Sequence, residues 1–183
     1  MIFYKYQGAG NDFLIADNRD GHLSETDGVL YAVNEDGSQW SRSIADICDR
    51  RYGVGADGVM LLEGSDKYDF RMTYYNSDGS GGMMCGNGGR CIVAFAADRG
   101  IGHFDFDAAD GFHMANIIKD EHGVKTVCLK MKDVSGVQHY EKLGGVNVPS
   151  SGYFLDARVP GLFEYANMKA ESKTTCSMSV RVS

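Results

Sequence analysis

Residues 83–97 limit most strongly what this chain can fold into. Cys85 precedes a glycine-rich turn at 86–89, and residues 92–97 are all apolar. A helix without a polar face must be buried on every side, so we predict that the rest of the domain wraps this helix. Free N–H groups and the helix dipole at its N-terminus favour anions and the thiolate form of a cysteine. We therefore expect chemistry at Cys85.

Composition excludes several classes of protein. The 183 residues suffice for one large domain or two small ones. A net charge of −7 argues against a nucleic-acid partner, and no apolar run reaches the length of a membrane span. Residues 1–8 lack the layout of a signal peptide, so we expect a cytoplasmic protein. Five cysteines without a regular framework indicate free thiols rather than disulfides.

Hydrophobic periodicity predicts a mixed set of elements. Residues 1–6 and 13–17 are predicted strands joined by a tight turn at 8–12. The spacing of Trp40, Ile44, Ile47 and Cys48 predicts an amphipathic helix over 41–51 with Cys48 as a buried structural thiol. Alternation and flanking turn residues predict further strands at 59–63, 70–76, 103–108, 113–118, 125–131 and 152–156.

Glycines and asparagines mark three turns. Gly53, Gly55 and Gly58 match the spacing of a dinucleotide-binding loop, but they follow a helix and precede a strand, so we reject that interpretation. They are predicted to serve a turn with unusual backbone angles or close approach. Asn11 lies in a turn that a plain hairpin explains, or contacts a small ligand. Asn76 ends a strand, as a turn residue or as a polar contact.

Cys85 admits four interpretations, the plainest being a buried thiol. A zinc site requires paired short ligand spacings, which Cys85 and Cys91 do not provide. A phosphatase loop has five residues between its cysteine and arginine, whereas four separate Cys85 from Arg90. In the fourth interpretation a thiolate removes the α-proton of a carboxylic acid that the helix N-terminus binds. Three glycines leave that approach open, and Asn87 adds a hydrogen bond.

Four blocks, in this order, resemble the diaminopimelate epimerase family: residues 6–13 (YQGAGNDF), 48–58 (CDRRYGVGADG), 75–80 (YNSDGS) and 84–91 (MCGNGGRC). The resemblance extends loosely to about residue 156. It implies an isomerase of lysine biosynthesis that interconverts LL- and meso-diaminopimelate with two cysteines and no cofactor. It further implies that Cys85 is catalytic and that four residues bind the substrate, namely Asn11, Asn76, Gly86 and Asn87.

The same resemblance implies an α/β (α+β) fold with two pseudo-symmetric domains. Each is a curved, mostly antiparallel sheet around a central buried helix. We expect a first domain at 1–108, a partial second domain at 109–160 and a polar, disordered tail at 161–183. The expected partner is the small-molecule substrate, without nucleic acid or membrane, and a homodimer is the expected assembly.

The sequence departs from the family after about residue 156. The family's second cysteine lies in a Gly-Glu-Thr…Ala-Cys-Gly-Thr-Gly block that is absent here, and Cys176 lacks its glycines. We therefore expect a truncated or frame-shifted chain with impaired activity, and uncovered edges and apolar faces between 105 and 156. The alternatives are a non-catalytic remnant that binds a carboxylate or amino acid, and a proline-racemase-like or phenazine-type isomerase.

Overall fold

The computed structural model describes residues 2–34, 36–121 and 123–131 and three further strands, Lys142–Leu143, Val146–Asn147 and Met178–Val182. The chain divides into two compact units. One comprises Met1–Lys130 and Thr175–Ser183, and the other comprises Met131–Thr174. In the second unit, Lys142–Leu143 and Val146–Asn147 pair as antiparallel strands.

The elements follow one another in this order: β1 (Tyr4–Gly8), β2 (Asn11–Asn18), β3 (Leu23–Thr26), β4 (Val29–Val33), β5 (Gln39–Ser43), α1 (Ile44–Cys48), β6 (Gly58–Glu63), β7 (Phe70–Asn76), α2 (Gly86–Asp98), β8 (Phe104–Ala108), β9 (Gly111–Glu121), β10 (Val124–Leu129), β11 (Lys142–Leu143), β12 (Val146–Asn147) and β13 (Met178–Val182).

Eight of these strands close into a barrel in the order β1-β13-β10-β9-β8-β7-β6-β2. The β2–β6 and β7–β8 pairs are parallel and the others antiparallel. Helix α2 lies in the core of the barrel, where Ile92, Val93 and Phe95 are fully buried. This barrel confirms the predicted mostly antiparallel, curved sheet around a buried helix. The helix requires such cover because its residues 92–97 are all apolar.

Polar contacts hold the C-terminal end of α2. The hydroxyl of Tyr6 donates to Asp98 Oδ2 at 2.6 Å, and Lys125 Nζ lies 2.8 Å from Asp98 Oδ1. Lys125 is buried and also pairs with Asp120 at 2.9 Å. A buried ammonium group requires such partners, so these contacts fix β1 and β10 against the helix.

A second apolar layer covers the outer face of β2 and β6. The sheet β3-β4-β5 and helix α1 pack there, with Leu30, Ile44 and Ile47 against Leu14 and Val59. Both faces of β2 and β6 are therefore buried, which explains their nearly continuous apolar sequences. The strands β3 and β4 fall in a polar stretch that hydrophobic periodicity did not assign.

The helix predicted over 41–51 is wrong in its bounds. Residues 39–43 form β5, and α1 begins after Ser43, whose Oγ accepts from Asp46 N at 3.0 Å. The helix ends at Cys48, where Asp49 turns to an extended conformation with ψ 126°. Gly53 packs against the last carbonyls of the helix, where a Cβ atom would lie 2.1 Å from Asp46 O. Close approach, as predicted, accounts for this glycine. Cys48 is buried, as predicted.

The other predicted strands match β1, β2, β6, β7, β8, β9 and β10 with shifted ends. The strand predicted at 152–156 lies outside the described residues. Strand β13 lies within the tail predicted to be disordered, so that prediction does not hold for Met178–Val182. Both edges of β8, β9 and β10 are paired, which contradicts the predicted open edges there, although Phe112, Met114 and Ile118 on β9 are exposed.

Ion pairs join the β1–β2 hairpin to the loop after α1. Asp12 contacts Lys5 at 3.0 Å and accepts two hydrogen bonds from Arg50, at 2.6 and 3.0 Å. Lys5 also donates to Gly55 O at 2.7 Å. The hydrogen bonds from Arg50, followed by those from Lys5, lower the pKa of Asp12 well below its usual value.

We expect Gly53→Ala to lower the free energy of unfolding by about 1–3 kcal/mol, because its Cβ would collide with backbone oxygens that cannot move independently. Gly102→Ala is the matched control, since its Cβ meets nothing within 4 Å. Urea unfolding of both variants checks the prediction. Equal stability of the two would contradict the tight packing at Gly53.

Asp12 is expected to make folding sensitive to acid. Because its pKa is lower in the folded state, its contribution is present above the unfolded pKa of about 4 and is lost as pH falls below it. Asp12→Asn should cost about 1 kcal/mol at pH 7. The difference from the wild type should shrink below pH 4 in denaturation measured across pH. A pH-independent difference would refute this.

Candidate active site

The N-terminus of α2 carries the exposed cysteine. Cys85 is the N-cap residue, and its Sγ accepts a hydrogen bond from Gly88 N at 3.3 Å. Gly86 and Asn87 are the first two residues of the helix and are half-buried. The first backbone N–H groups of a helix have no intrahelical partner and lie at the positive end of its dipole. A thiol and anion-binding N–H groups are therefore adjacent.

Glycines let the start of this helix enter the barrel. A Cβ on Gly89 would lie 2.6 Å from Leu129 Cδ2. On Gly88 it would lie 3.4 Å from Cys85 Sγ, and close to Met60 and Met72. Side chains here would push the helix away from the strands or crowd the thiol, so the glycine-rich sequence fixes the position of Cys85.

Burial separates Cys85 from two other cysteines. Removal from water raises the pKa of Cys48 to about 11 and that of Cys91 to about 12. Both are therefore neutral thiols at physiological pH, and neither is a nucleophile there. Cys128 is half-buried on β10, and Cys176 lies outside the described residues. Cys85 is exposed.

Asn11 and Asn87 meet at this helix end. Asn87 Nδ2 donates to Asn11 Oδ1 at 2.7 Å although 76 residues separate them. Asn11 follows a two-residue turn in which Ala9 and Gly10 both have positive φ, the geometry that suits a tight hairpin. The turn thus is a hairpin and also delivers Asn11 to α2.

Asp57 and Arg90 flank the contact between Asn11 and Asn87, with Asp57 bound to Asn11 and Arg90 bound to Asn87. Asn11 Nδ2 donates to Asp57 Oδ2 at 3.2 Å, and the backbone N–H of Asp12 donates to the same oxygen at 3.1 Å. Arg90 Nη2 donates to Asn87 Oδ1. Arg50 Nη2 donates to Asp57 Oδ1 at 2.7 Å, which joins this group to the ion pairs of the hairpin.

Asn76 lies at the same end of the sheet but holds its own loop. It ends β7 opposite Gly58, and its Nδ2 donates to Ser80 Oγ at 3.0 Å. Its carbonyl accepts from Gly79 N at 2.9 Å, with Gly79 at φ 86°. The structure therefore brings Cys85, Gly86, Asn87 and Asn11 together, and places Asn76 in a turn at the neighbouring strand end.

Sequence reasoning missed Asp57, Arg90 and Tyr74. The first two stand inside the blocks that carry the family resemblance. Asp57 contacts Asn11 across 46 residues, whereas Arg90 contacts Asn87 at i,i+3 spacing, a pairing that helix periodicity could have indicated. Tyr74 packs edge-on against Phe13, with ring centroids 5.9 Å apart, and covers Gly58 and Gly82. Burial, followed by electrostatic interaction with Cys85, raises the pKa of Tyr74 to about 12.

Neither a metal-binding cluster nor a membrane-spanning helix is found in the described part of the chain. Within the described ranges, no group of three or more His, Cys, Asp or Glu side chains is arranged to hold a metal ion. Among the helices that the structure describes, none has the length and apolarity needed to cross a membrane.

Comparison with known proteins gives one family. A profile of diaminopimelate epimerase matches residues 3–133. The chain is 41% identical over 152 residues to the diaminopimelate epimerase of Flavobacterium psychrophilum, covering 82% of this chain and 53% of that protein. It is 38% identical over 164 residues to that of Chlorobaculum tepidum, covering 87% and 55%.

Among solved structures, the Bacillus anthracis phenazine biosynthesis protein of the PhzF family is similar with a TM-score of 0.47 and 18% identity, covering 73% of this chain and 43% of that one. The chain spans about half the length of the curated relatives it matches. With the profile matching most of the described residues, this chain belongs to the diaminopimelate epimerase family.

Proposed function

We propose that this chain supplies the Cys85 half of a diaminopimelate epimerase active site. The observation that carries the proposal is the exposed thiol at the N-cap of α2, inside the part of the chain that matches the family. The relatives carry the name diaminopimelate epimerase, and the substrate proposed here is LL- or meso-diaminopimelate. No cofactor takes part in the proposed reaction.

The first step is binding of a substrate carboxylate at the start of α2. The backbone N–H groups of Gly86 and Asn87 donate to the carboxylate, and the helix dipole favours its charge. The side-chain amides of Asn11 and Asn87, joined at 2.7 Å, add donors beside it. Asn76, at the neighbouring strand end, is proposed to contact a polar group of the substrate.

The second step is proton transfer at the α-carbon. The Cys85 thiolate takes the α-proton, so an S–H bond forms, the C–H bond breaks and the electron pair moves into the carboxylate. The negative charge that develops on the carboxylate oxygens strengthens their hydrogen bonds to the helix N–H groups, because these dipoles are already oriented. Return of a proton from the opposite face would complete inversion.

That opposite face requires a second acid. The sequence contains one of the two cysteine blocks typical of the family, at Cys85. We therefore propose that this chain alone exchanges the α-proton with solvent at one face and inverts the centre poorly. A second candidate function, binding of a carboxylate or amino acid without catalysis, is favoured by the same missing block.

Incubation of the purified chain with meso-diaminopimelate in D₂O tests the proposal. We expect deuterium at the α-carbon with little stereoinversion, because the deuterium that enters the Cys85 thiol returns to the same face. Cys85→Ala should lower the exchange rate by about 10²–10⁴-fold. Mass spectrometry and chiral chromatography measure the two quantities.

Cys128→Ala is the matched control, since Cys128 is half-buried on β10 and outside the α2 N-terminus. Its exchange rate should equal that of the wild type. Full stereoinversion abolished by Cys85→Ala would refute the proposed impairment but not the role of Cys85. Calorimetric binding of diaminopimelate without exchange would favour the non-catalytic function. The absence of both binding and exchange would refute both candidate functions.

A further inference from the structure

Four side chains form a hydrogen-bond chain that runs in one direction. Arg90 donates to Asn87, Asn87 donates to Asn11 at 2.7 Å, and Asn11 donates to Asp57 at 3.2 Å. We propose that Asp57 and Arg90 are positioning residues that orient both amides so that they offer N–H donors to a carboxylate. This inference rests on the proposed function and deepens it by assigning what selects the substrate's carboxylate.

Asp57 fixes the amide of Asn11. A carboxylate only accepts hydrogen bonds, so the group of Asn11 that faces it must be NH₂. The position of Asp57 is itself held on three sides: its N–H donates to Asp12 O at 2.8 Å, its Oδ2 accepts from Asp12 N at 3.1 Å, and its Oδ1 accepts from Arg50 at 2.7 Å. The oxygen of Asn11 must therefore turn towards Asn87.

Arg90 fixes the amide of Asn87 from the other end. A guanidinium group only donates, so the group of Asn87 that faces it must be the oxygen. The NH₂ of Asn87 then faces the oxygen of Asn11, as the 2.7 Å contact has it. An acceptor-only group at one end and a donor-only group at the other thus leave a single self-consistent direction. Such aligned chains also polarise and strengthen their own hydrogen bonds.

The orientation determines which ligand fits. Each amide oxygen already accepts one hydrogen bond from its neighbour, and each NH₂ group has used one of its two N–H bonds within the described part of the protein. Each amide therefore keeps one N–H donor for a ligand, like the backbone N–H groups of Gly86 and Asn87 beside it. Reversed amides would turn oxygens towards the same ligand, which would repel a carboxylate and suit an ammonium group.

The surrounding charges agree with this polarity. Lys5 and Arg50 pair with the two carboxylates of Asp12 and Asp57, and Arg90 adds a third cation beside Asn87. Both carboxylates are engaged by Arg50, so neither presents an uncompensated negative charge to an anionic ligand. The purely structural alternative is that Asp57 only ties β2 to the loop after α1, which the backbone contact and Arg50 would already do.

Asp57→Asn tests the inference because it keeps the shape of Asp57 but offers either an oxygen or an NH₂ group. We expect it to weaken binding of meso-diaminopimelate about tenfold or more by calorimetry, and not to weaken binding of 1,5-diaminopentane, which lacks both carboxylates. The side-chain NH₂ signals of Asn11 and Asn87 in ¹⁵N-labelled protein should lose their protection from solvent exchange. Arg90→Gln should likewise weaken binding of meso-diaminopimelate and expose the two NH₂ signals to solvent exchange, because it releases the amide of Asn87. This variant replaces Asp57→Asn in the test if Asp57→Asn does not fold.

Arg50→Lys is the control for a structural role. It keeps a positive charge beside Asp12 and Asp57 but loses the forked hydrogen bonds of the guanidinium group, so binding should stay within about threefold of the wild type. Equal weakening by Arg50→Lys and Asp57→Asn, or unchanged NH₂ signals in both Asp57→Asn and Arg90→Gln, would overturn the inference. If the wild type does not bind diaminopimelate, the proposed function fails, and the NH₂ signals alone decide the positioning roles.

Discussion

Burial of helix α2 is the constraint on which the rest of the structure depends. Ile92, Val93 and Phe95 have no exposed surface, and eight strands close around them. Tyr6 and Lys125 hold the far end of the helix through Asp98. A helix covered on all sides and anchored at its C-terminus has little freedom to shift, so the position of its first turn is fixed by the core. The exposed Cys85 therefore sits at the end of a helix that packing and polar contacts hold in place.

The same burial divides the cysteines by role. Cys48 and Cys91 are taken up in apolar layers, where the loss of hydration keeps their thiols neutral. Cys85 caps the helix at the surface, next to backbone N–H groups. Position relative to one helix, rather than residue type, distinguishes a structural thiol from a candidate base.

Features governed by local sequence were predictable. The apolar run at 92–97 predicted α2, and short-range alternation between turn residues predicted β7 and β10. A continuous apolar run after a glycine-rich turn predicted β6, which is buried on both faces. The helix over 41–51 was predicted too long, since Trp40 belongs to a strand whose apolar side chain happens to fall at helical spacing. Strand β3 is short and largely polar, so its place depends on packing against β2 and β6. Strand β4 alternates buried and exposed side chains within a stretch that is otherwise polar, and that short pattern was missed.

The candidate site divides in the same way. Cys85, Gly86 and Asn87 follow one another at the start of a predictable helix, and Asn11 was identified through the family resemblance. The role of Asp57 depends on a contact across 46 residues that only the folded barrel brings together, whereas Arg90 contacts Asn87 within one turn of α2. The donor-to-acceptor direction of these hydrogen bonds is set by Arg90 at one end and Asp57 at the other. It can be recognised only once the contacts between the four side chains are known.

A crystal structure of this chain with meso-diaminopimelate tests the central claim most directly. The account predicts one carboxylate within about 3 Å of the backbone nitrogens of Gly86 and Asn87. It also predicts an α-carbon about 3–3.5 Å from Cys85 Sγ, with the NH₂ groups of Asn11 and Asn87 turned towards that carboxylate. A ligand bound with an ammonium group at this helix end, or bound away from Cys85, would contradict it.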